Sequence, residues 1–118
     1  VYSVAIQGDT IVSGSSDKTV RIWNATSGKE QHVLKGHSAN VNSVAIQGDT
    51  IISGSGDSFS TDNTVRIWNA TSGKEQHVLK GHSGTVRSVA IQGETIVSGS
   101  DDNTVRIWNA TSGEEQHV

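Results

Sequence analysis

The sequence predicts an all-β chain, and three observations predict it. The first is repetition. The strings VYSVAIQGDTIVSGSSDKTVRIWNATSGKEQHV, VNSVAIQGDTIISGS…DNTVRIWNATSGKEQHV and VRSVAIQGETIVSGSDDNTVRIWNATSGEEQHV run in tandem along the 118 residues. From Val4 to Val44 the period is 40 residues, and from Val44 to Val89 it is 45, because the second copy carries five extra residues. The second observation is short β-branched runs with apolar residues at alternate positions, separated by turn residues roughly every 8–12 positions. The third is that no segment sustains the 3.6-residue apolar period of a helix.

Each copy predicts four strands. In the first copy, Val1–Gln7 alternates around Val4 and Ile6, and Thr10–Ser15 is a β-branched run. Thr19–Asn24 sets Val20 and Ile22 against Arg21 and Trp23, and Lys29–Lys35 is weaker and more polar. Gln-Gly-Asp, Ser-Asp-Lys and Ala-Thr-Ser-Gly separate them, all turn chemistry. Four antiparallel strands cannot bury both of their faces alone. Side-by-side stacking around an axis solves this, which is a β-propeller of four-stranded blades. The chain then divides into three blades, about 1–37, 38–82 and 83–118, within one unit.

Composition removes several functions. There is no Cys, so neither a disulfide nor a thiolate metal site is expected. A net charge of −3 argues against a nucleic-acid surface. No apolar run approaches the roughly 20 residues that span a bilayer, and no leader pattern opens the sequence at Val1. We expect no cofactor, no metal, no membrane or nucleic-acid partner, and a cytoplasmic location.

Gly-His at 36–37 and 81–82, Ser-Gly-Ser-x-Asp at 13–17 and 98–102, and Ile-Trp-Asn at 22–24, 67–69 and 107–109 resemble the WD40 repeat over the whole chain. One departure is systematic, since the usual Trp-Asp dipeptide is Trp-Asn here. The near-identity of the copies resembles WD40 arrays of bacterial and fungal sensor proteins, or propellers engineered from them. The resemblance implies a structural tetrad of Trp, Ser, His and Asp in each blade. Carried over, this gives Trp108, Ser100, His82 and Asp102 in blade 3. In blade 2 it gives Trp68, Ser55 and His37 with Asp57 or Asp62. Blade 1 has Trp23, Ser15 and Asp17, and no Gly-His precedes it in this sequence.

A Ser/His/Asp set also invites a hydrolase reading. It recurs once per repeat, its hydroxyl is expected to serve an indole, and no G-x-S-x-G elbow is present, so no catalytic residue is assigned. His32, His77 and His117 fall in the polar outer strand EQHV on separate blades, which favours a solvated edge over a metal site. The Asn-Ala-Thr triplets at Asn24, Asn69 and Asn109 match a glycosylation sequon, but closing the turn after the third strand is the simpler role.

The copies disagree at few positions. The radical differences are Tyr2/Asn42/Arg87, Ala39-Asn40/Gly84-Thr85 and Ser16/Gly56/Asp101, and all fall where a propeller gathers its top face. The five-residue insertion lies in the same turn and brings Phe59, the chain's single Phe. Tyr2, Asn40, Asn42, Phe59, Arg87 and Asp101 are therefore the expected contacts for a protein or peptide partner. The insertion's oxygens do not form an EF-hand pattern.

Three blades do not close a circle, since propellers typically use about 4–8. If each open flank leaves several hundred Å² of apolar surface wet, the cost is on the order of 10 kcal/mol. Head-to-tail docking of copies answers this, as a nine-blade trimer in preference to a six-blade dimer. The expected function is a non-catalytic recognition or scaffold module that self-assembles in this way. The alternative is a self-assembling repeat protein, engineered or excised from a larger one, without a natural ligand.

Overall fold

Alternation along Thr-Val-Arg-Ile-Trp-Asn sends Val20 and Ile22 to one side of a strand and Arg21 and Trp23 to the other, so a blade built on it has two apolar faces. The computed structural model describes residues 3–56 and 62–117. The first copy forms β1 (Ser3–Gln7), β2 (Thr10–Gly14), β3 (Thr19–Asn24) and β4 (Glu30–Lys35). The second forms β5 (Val41–Gln47), β6 (Thr50–Ser55), β7 (Val65–Asn69) and β8 (Glu75–Leu79), and the third β9 (Val86–Gln92), β10 (Thr95–Ser100), β11 (Val105–Asn109) and β12 (Glu115–His117). Each copy is one four-stranded antiparallel sheet with its strands in chain order. No helix occurs among the described residues. The sheets are blades packed face to face, with β5 lying beside both β1 and β9.

The turns follow from side-chain chemistry. Asn24 Oδ1 accepts from the backbone N–H groups of Thr26 and Ser27, both at 2.9 Å, and Asn69 and Asn109 repeat the arrangement. This is why Asn can stand where the repeat usually has Asp: one side-chain oxygen does the capping. The turn between second and third strands places Lys18, Asn63 and Asn103 at φ of 73°, 44° and 70°. Asn tolerates that left-handed conformation better than Lys, so blades 2 and 3 carry the less strained residue.

The core consists of two equivalent layers between blades. The first joins Val12, Val20, Ile22 and Leu34 of blade 1 to Val41, Val44, Ile51 and Trp68 of blade 2. The second joins Ile52, Val65, Ile67 and Leu79 of blade 2 to Val86, Val89, Ile96 and Trp108 of blade 3. These are the same repeat positions one blade later. The sheets approach closely at one glycine per layer. An added Cβ would lie 2.7 Å from Val41 Cγ1 at Gly14 and 2.7 Å from Val86 Cγ1 at Gly54.

Polar bonds stitch the same seams. The Gln47 amide donates to Gly93 O and accepts from Gly93 N, both at 2.9 Å, and Gln7 forms the like pair with Gly48. Val44 N donates to Ser3 Oγ at 3.3 Å and Val89 N to Ser43 Oγ at 3.2 Å. The imidazole Nε2 of His32 lies 3.1 Å from Thr71 O, and that of His77 lies 3.1 Å from Thr111 O. The outer strand is thus not merely a solvated edge. Its histidine reaches the turn of the following blade, and the two seams carry equivalent clefts of about 530 and 560 Å³.

The outermost faces differ from the inner ones only in being uncovered. Val4 is 67% exposed and Ile6 is 66% exposed, whereas Val44, the counterpart of Val4, is 6% exposed. On the far flank Val97 and Val105 are exposed, while their counterparts Ile52 and Val65 are fully buried.

Candidate functional site

Two features were expected to matter: a hydrogen-bonded set inside each blade, and a variable face at one end. In blade 2 the Trp68 indole N–H donates to Ser53 Oγ at 2.8 Å, and His37 Nε2 lies 2.6 Å from the same oxygen. His37 Nδ1 lies 3.2 Å from Asp62 Oδ2, which also accepts from Ser38 N at 2.6 Å. Thr64 donates to Asp62 Oδ1 through its hydroxyl and its backbone N–H. Blade 3 repeats this with Trp108 to Ser98 at 2.9 Å, His82 to Ser98 at 2.7 Å and His82 to Asp102 at 2.9 Å.

The polarity of these chains is fixed by the ends. An indole N–H can only donate, and an ionised carboxylate can only accept. Ser53 Oγ therefore accepts from Trp68, and the proton on His37 Nδ1 points to Asp62. Burial pushes the Asp62 carboxyl up, but hydrogen bonds from His37, Thr64 and Ser38 outweigh it and hold the group well below the usual carboxylate range. At Asp102 burial is likewise outweighed, here by bonds from Thr104, His82 and Ser83.

The serine of each set is corrected by the structure. Ser15, Ser55 and Ser100 were expected beside the indole, and Ser13, Ser53 and Ser98 stand there instead. Both serines of a strand lie on the same face, so alternation does not separate them. Register does. Trp68 pairs with Ile51, which puts Ser53 one diagonal step away and Ser55 about 13 Å along the strand from that pair. Ser55 Oγ instead donates to the carbonyls of Ala39 and Asn40, at 3.1 and 2.7 Å, and Ser100 Oγ to Gly84 O at 3.0 Å. Ser15 Oγ accepts from Asp17 N at 3.3 Å. Of the two acids open in blade 2, Asp62 is the one against His37, and Asp57 lies outside the described residues.

Blade 1 holds Trp23 Nε1 3.0 Å from Ser13 Oγ, and Asp17 Oδ1 2.5 Å from Thr19 Oγ1. Its Asp17 Oδ2 takes Arg21 Nη2 at 3.2 Å. The Thr19 hydroxyl bond, with further help from Arg21, lowers the Asp17 pKa.

At the other feature, Tyr2 and Phe59 lie outside the described residues. Arg87 and Asp101 meet: Arg87 Nη2 donates to Asp101 Oδ2 at 2.8 Å and Nε to Oδ1 at 3.0 Å. That bond holds the Asp101 carboxyl below its ordinary pKa and raises that of Arg87. One blade earlier, the equivalent Asn42 donates to Gly56 O at 2.9 Å and to Val86 O at 3.2 Å. Variable positions thus pair with each other, Arg with Asp and Asn with a glycine carbonyl. Asn40 enters the described geometry through its backbone. Its carbonyl fastens the loop by accepting from Ser55 Oγ and Gly56 N.

Nothing in these sets resembles a reactive centre. Ser53 and Ser98 are fully buried and occupied by an indole. Among the described residues no cluster of His, Asp or Glu could hold a metal ion, and no helix is long and apolar enough to cross a membrane.

Comparison with known proteins agrees with this architecture. The chain is 51% identical over 37 residues to the WD repeat-containing protein pop2 of Schizosaccharomyces pombe, covering 31% of this chain and 5% of that protein. It is 51% identical over 43 residues to pop1 of the same yeast, covering 36% and 6%, and 50% identical over 34 residues to Cell division control protein 4 of Saccharomyces cerevisiae, covering 29% and 4%. The chain thus spans only about a twentieth of the length of these relatives. Among solved structures it resembles the computationally designed Ika8 and Ika4 proteins, with TM-scores of 0.87 and 0.88 and 26% identity to each. Those matches cover 98% of this chain, 35% of the Ika8 chain and 69% of the Ika4 chain. The family model "WD domain, G-beta repeat" matches residues 1–24, 28–69 and 73–109, and with one Trp-Ser hydrogen bond in each of its three blades the chain belongs to the WD40 repeat family.

Proposed function

We propose that this WD40 module is a non-catalytic scaffold that joins head to tail with copies of itself and offers its variable end to a protein or peptide. One observation carries the joining: the two exposed flanks are the two halves of an interface already made twice within the chain. Val4 and Ile6 occupy the positions of Val44 and Ile46, and Val97 and Val105 those of Ile52 and Val65. The polar stitching is also complementary, since Gln92 stands where Gln47 reaches the next blade and Gly8 where Gly93 receives it. An interface of this kind is heterologous and closes into a ring when its rotation allows. Three copies and nine blades are the preferred closure, over two copies and six. The module is placed in the cytoplasm as part of this proposal, although a lack of Cys is compatible with any compartment.

Recognition at the variable end is supported by Arg87 meeting Asp101 and by Asn42 reaching the carbonyl of Val86 beside them, and the sequence alone adds Tyr2 and Phe59 to the proposed contacts. A second reading, a self-assembling repeat engineered or excised without a natural ligand, is favoured by the near-identity of the copies and the likeness to designed proteins. Both readings share the assembly step. Native mass spectrometry at micromolar concentration tests it: the expected species has three times the 12.4 kDa chain mass. A lone-chain mass alone would remove the proposal.

A further inference from the structure

The first strand of a blade holds the first strand of the next through two polar side chains on one face. Ser43 Oγ accepts from Val89 N at 3.2 Å, and the Gln47 amide both donates to Gly93 O and accepts from Gly93 N. Ser3 and Gln7 do the same to Val44 and Gly48. In both seams the serine-to-glutamine spacing equals the valine-to-glycine spacing. The contact is therefore a two-point match between strands running in the same direction. The glutamine end needs both atoms of the amide, an N–H that donates and an oxygen that accepts. It also needs the hairpin turn in which Gly48 and Gly93 stand at φ of 58° and 60°.

Both halves of a third match are present without a counterpart inside the chain. Ser88 and Gln92 lie on β9, both exposed, and neither side chain has a hydrogen-bond partner among the described residues. On the opposite flank Val4 and Gly8 are spaced as Val89 and Gly93 are, and Gly8 stands at φ of 57°, in the same turn. A hollow of about 370 Å³ beside Gln92 is lined by Ala90, Ile91, Thr95 and Val97. One blade earlier, Ala45 shares an apolar layer with Ile91. The equivalent of Ile91 in the first blade is Ile6, which is exposed on the other flank.

We infer that Ser88 and Gln92 are the groups by which the β9 edge selects the first strand of a second copy. Gln92 takes Gly8 of that copy through both amide atoms, Ser88 takes the N–H of its Val4, and its Ile6 enters the hollow beside Gln92. Apolar surface alone is indifferent to strand direction and register. The two polar groups are not, because a slipped or reversed strand would bury an amide and a hydroxyl without partners. The partner must therefore offer a free strand N–H and, four residues on, a glycine turn presenting both an N–H and a carbonyl. This rests on the head-to-tail reading above and deepens it by naming the side chains that set partner and register.

The test compares the full chain with its Gln92→Met, Ser88→Ala and Gln47→Met variants by sedimentation equilibrium and urea unfolding. Met is close to Gln in length and more apolar, so a joint made by apolar area alone would tighten in Gln92→Met. The amide contact predicts the opposite sign, an association constant lower by about tenfold or more. Ser88→Ala should lower it about threefold. Unchanged indole N–H resonances of Trp68 and Trp108 show that both variants remain folded. Gln47→Met alters the same contact in an inner seam and should lower the urea midpoint of the chain itself, whether or not copies join. Undiminished association of Gln92→Met, or an unchanged midpoint in Gln47→Met, overturns this inference and leaves the assembly reading standing. A wild-type chain that sediments alone at every concentration removes the assembly reading and this inference with it.

Discussion

Arg87 at the start of β9 and Asp101 in the turn after β10 form a two-pronged ion pair, and in both positions the third copy carries a charge that the other two lack. In blade 2 the same positions hold Asn42 and Gly56, which also meet. At these two positions the residues of one copy therefore meet each other. Both partners of the ion pair are exposed, so solvent screens it and the pair contributes little to stability. Arg87→Ala should shift the melting temperature by no more than a few degrees. Arg87→Asp with Asp101→Arg should recover most of whatever either reversal loses. Binding of a partner at this face would be weakened by Arg87→Ala and by Phe59→Ala, measured by titration calorimetry at matched stability.

Ser53 and Ser55 offer a sharp contrast. Ser53→Ala leaves the Trp68 indole N–H and His37 Nε2 buried without their shared partner, and each such group costs about 1–3 kcal/mol. A loss of about 2–4 kcal/mol is expected, read from the denaturant midpoint. Ser55→Ala removes a hydroxyl that holds loop carbonyls and should cost about 1 kcal/mol. Equal losses would count against the assignment of Ser53 to the indole.

The carboxylates Asp62 and Asp102 give the stability a direction in pH. Both are held below the unfolded Asp value of about 3.9. Between the folded and unfolded values the unfolded chain binds more protons, so stability rises with pH there. Their contribution is complete above about pH 5 and declines as the pH falls towards the folded values. Urea midpoints followed from neutral pH to about pH 2 should drop steeply below pH 4. Asp102→Asn should start from lower stability and show a shallower drop.

Gly54 and Gly99 are the same repeat position in different surroundings. A methyl group at Gly54 would meet Val86 at 2.7 Å, whereas at Gly99 nothing lies within 4 Å. Gly54→Ala should destabilise the chain by about 1–3 kcal/mol through overpacking. Gly99→Ala should leave the separated chain unchanged. If copies join, the same methyl would meet the Val4 side of the next copy, and the population of the joined species should fall in native mass spectra.

Much of this architecture is legible in the letters. Period-2 alternation around Val20, Ile22 and Trp23 places the strands, and the 40-residue repeat gives the stacking. The Gly-His and Trp-Asn signatures locate the His and Trp of the sets in blades 2 and 3, and Trp23 in blade 1. The serine was not legible, because Ser53 and Ser55 share a face and only the pairing of Ile51 with Trp68 tells them apart. The roles of Gln47 and His32 were hidden for a related reason. Gln47 ends an apolar strand and His32 sits on a polar one, and both act across a seam whose other side lies about 40 residues on. Nothing local in the chain marks a polar side chain that serves its neighbour.

The middle sheet, β5 to β8, is the one with a blade on each side. Nearest-neighbour coupling of this sort makes a linear array come apart from its ends. Amide hydrogens of β6 and β7 should accordingly be the slowest to exchange with solvent, while β1 and β12 open first. A lesion at Ile51 or Ile52 cuts the array in two, and one at Ile6 or Val97 merely trims it.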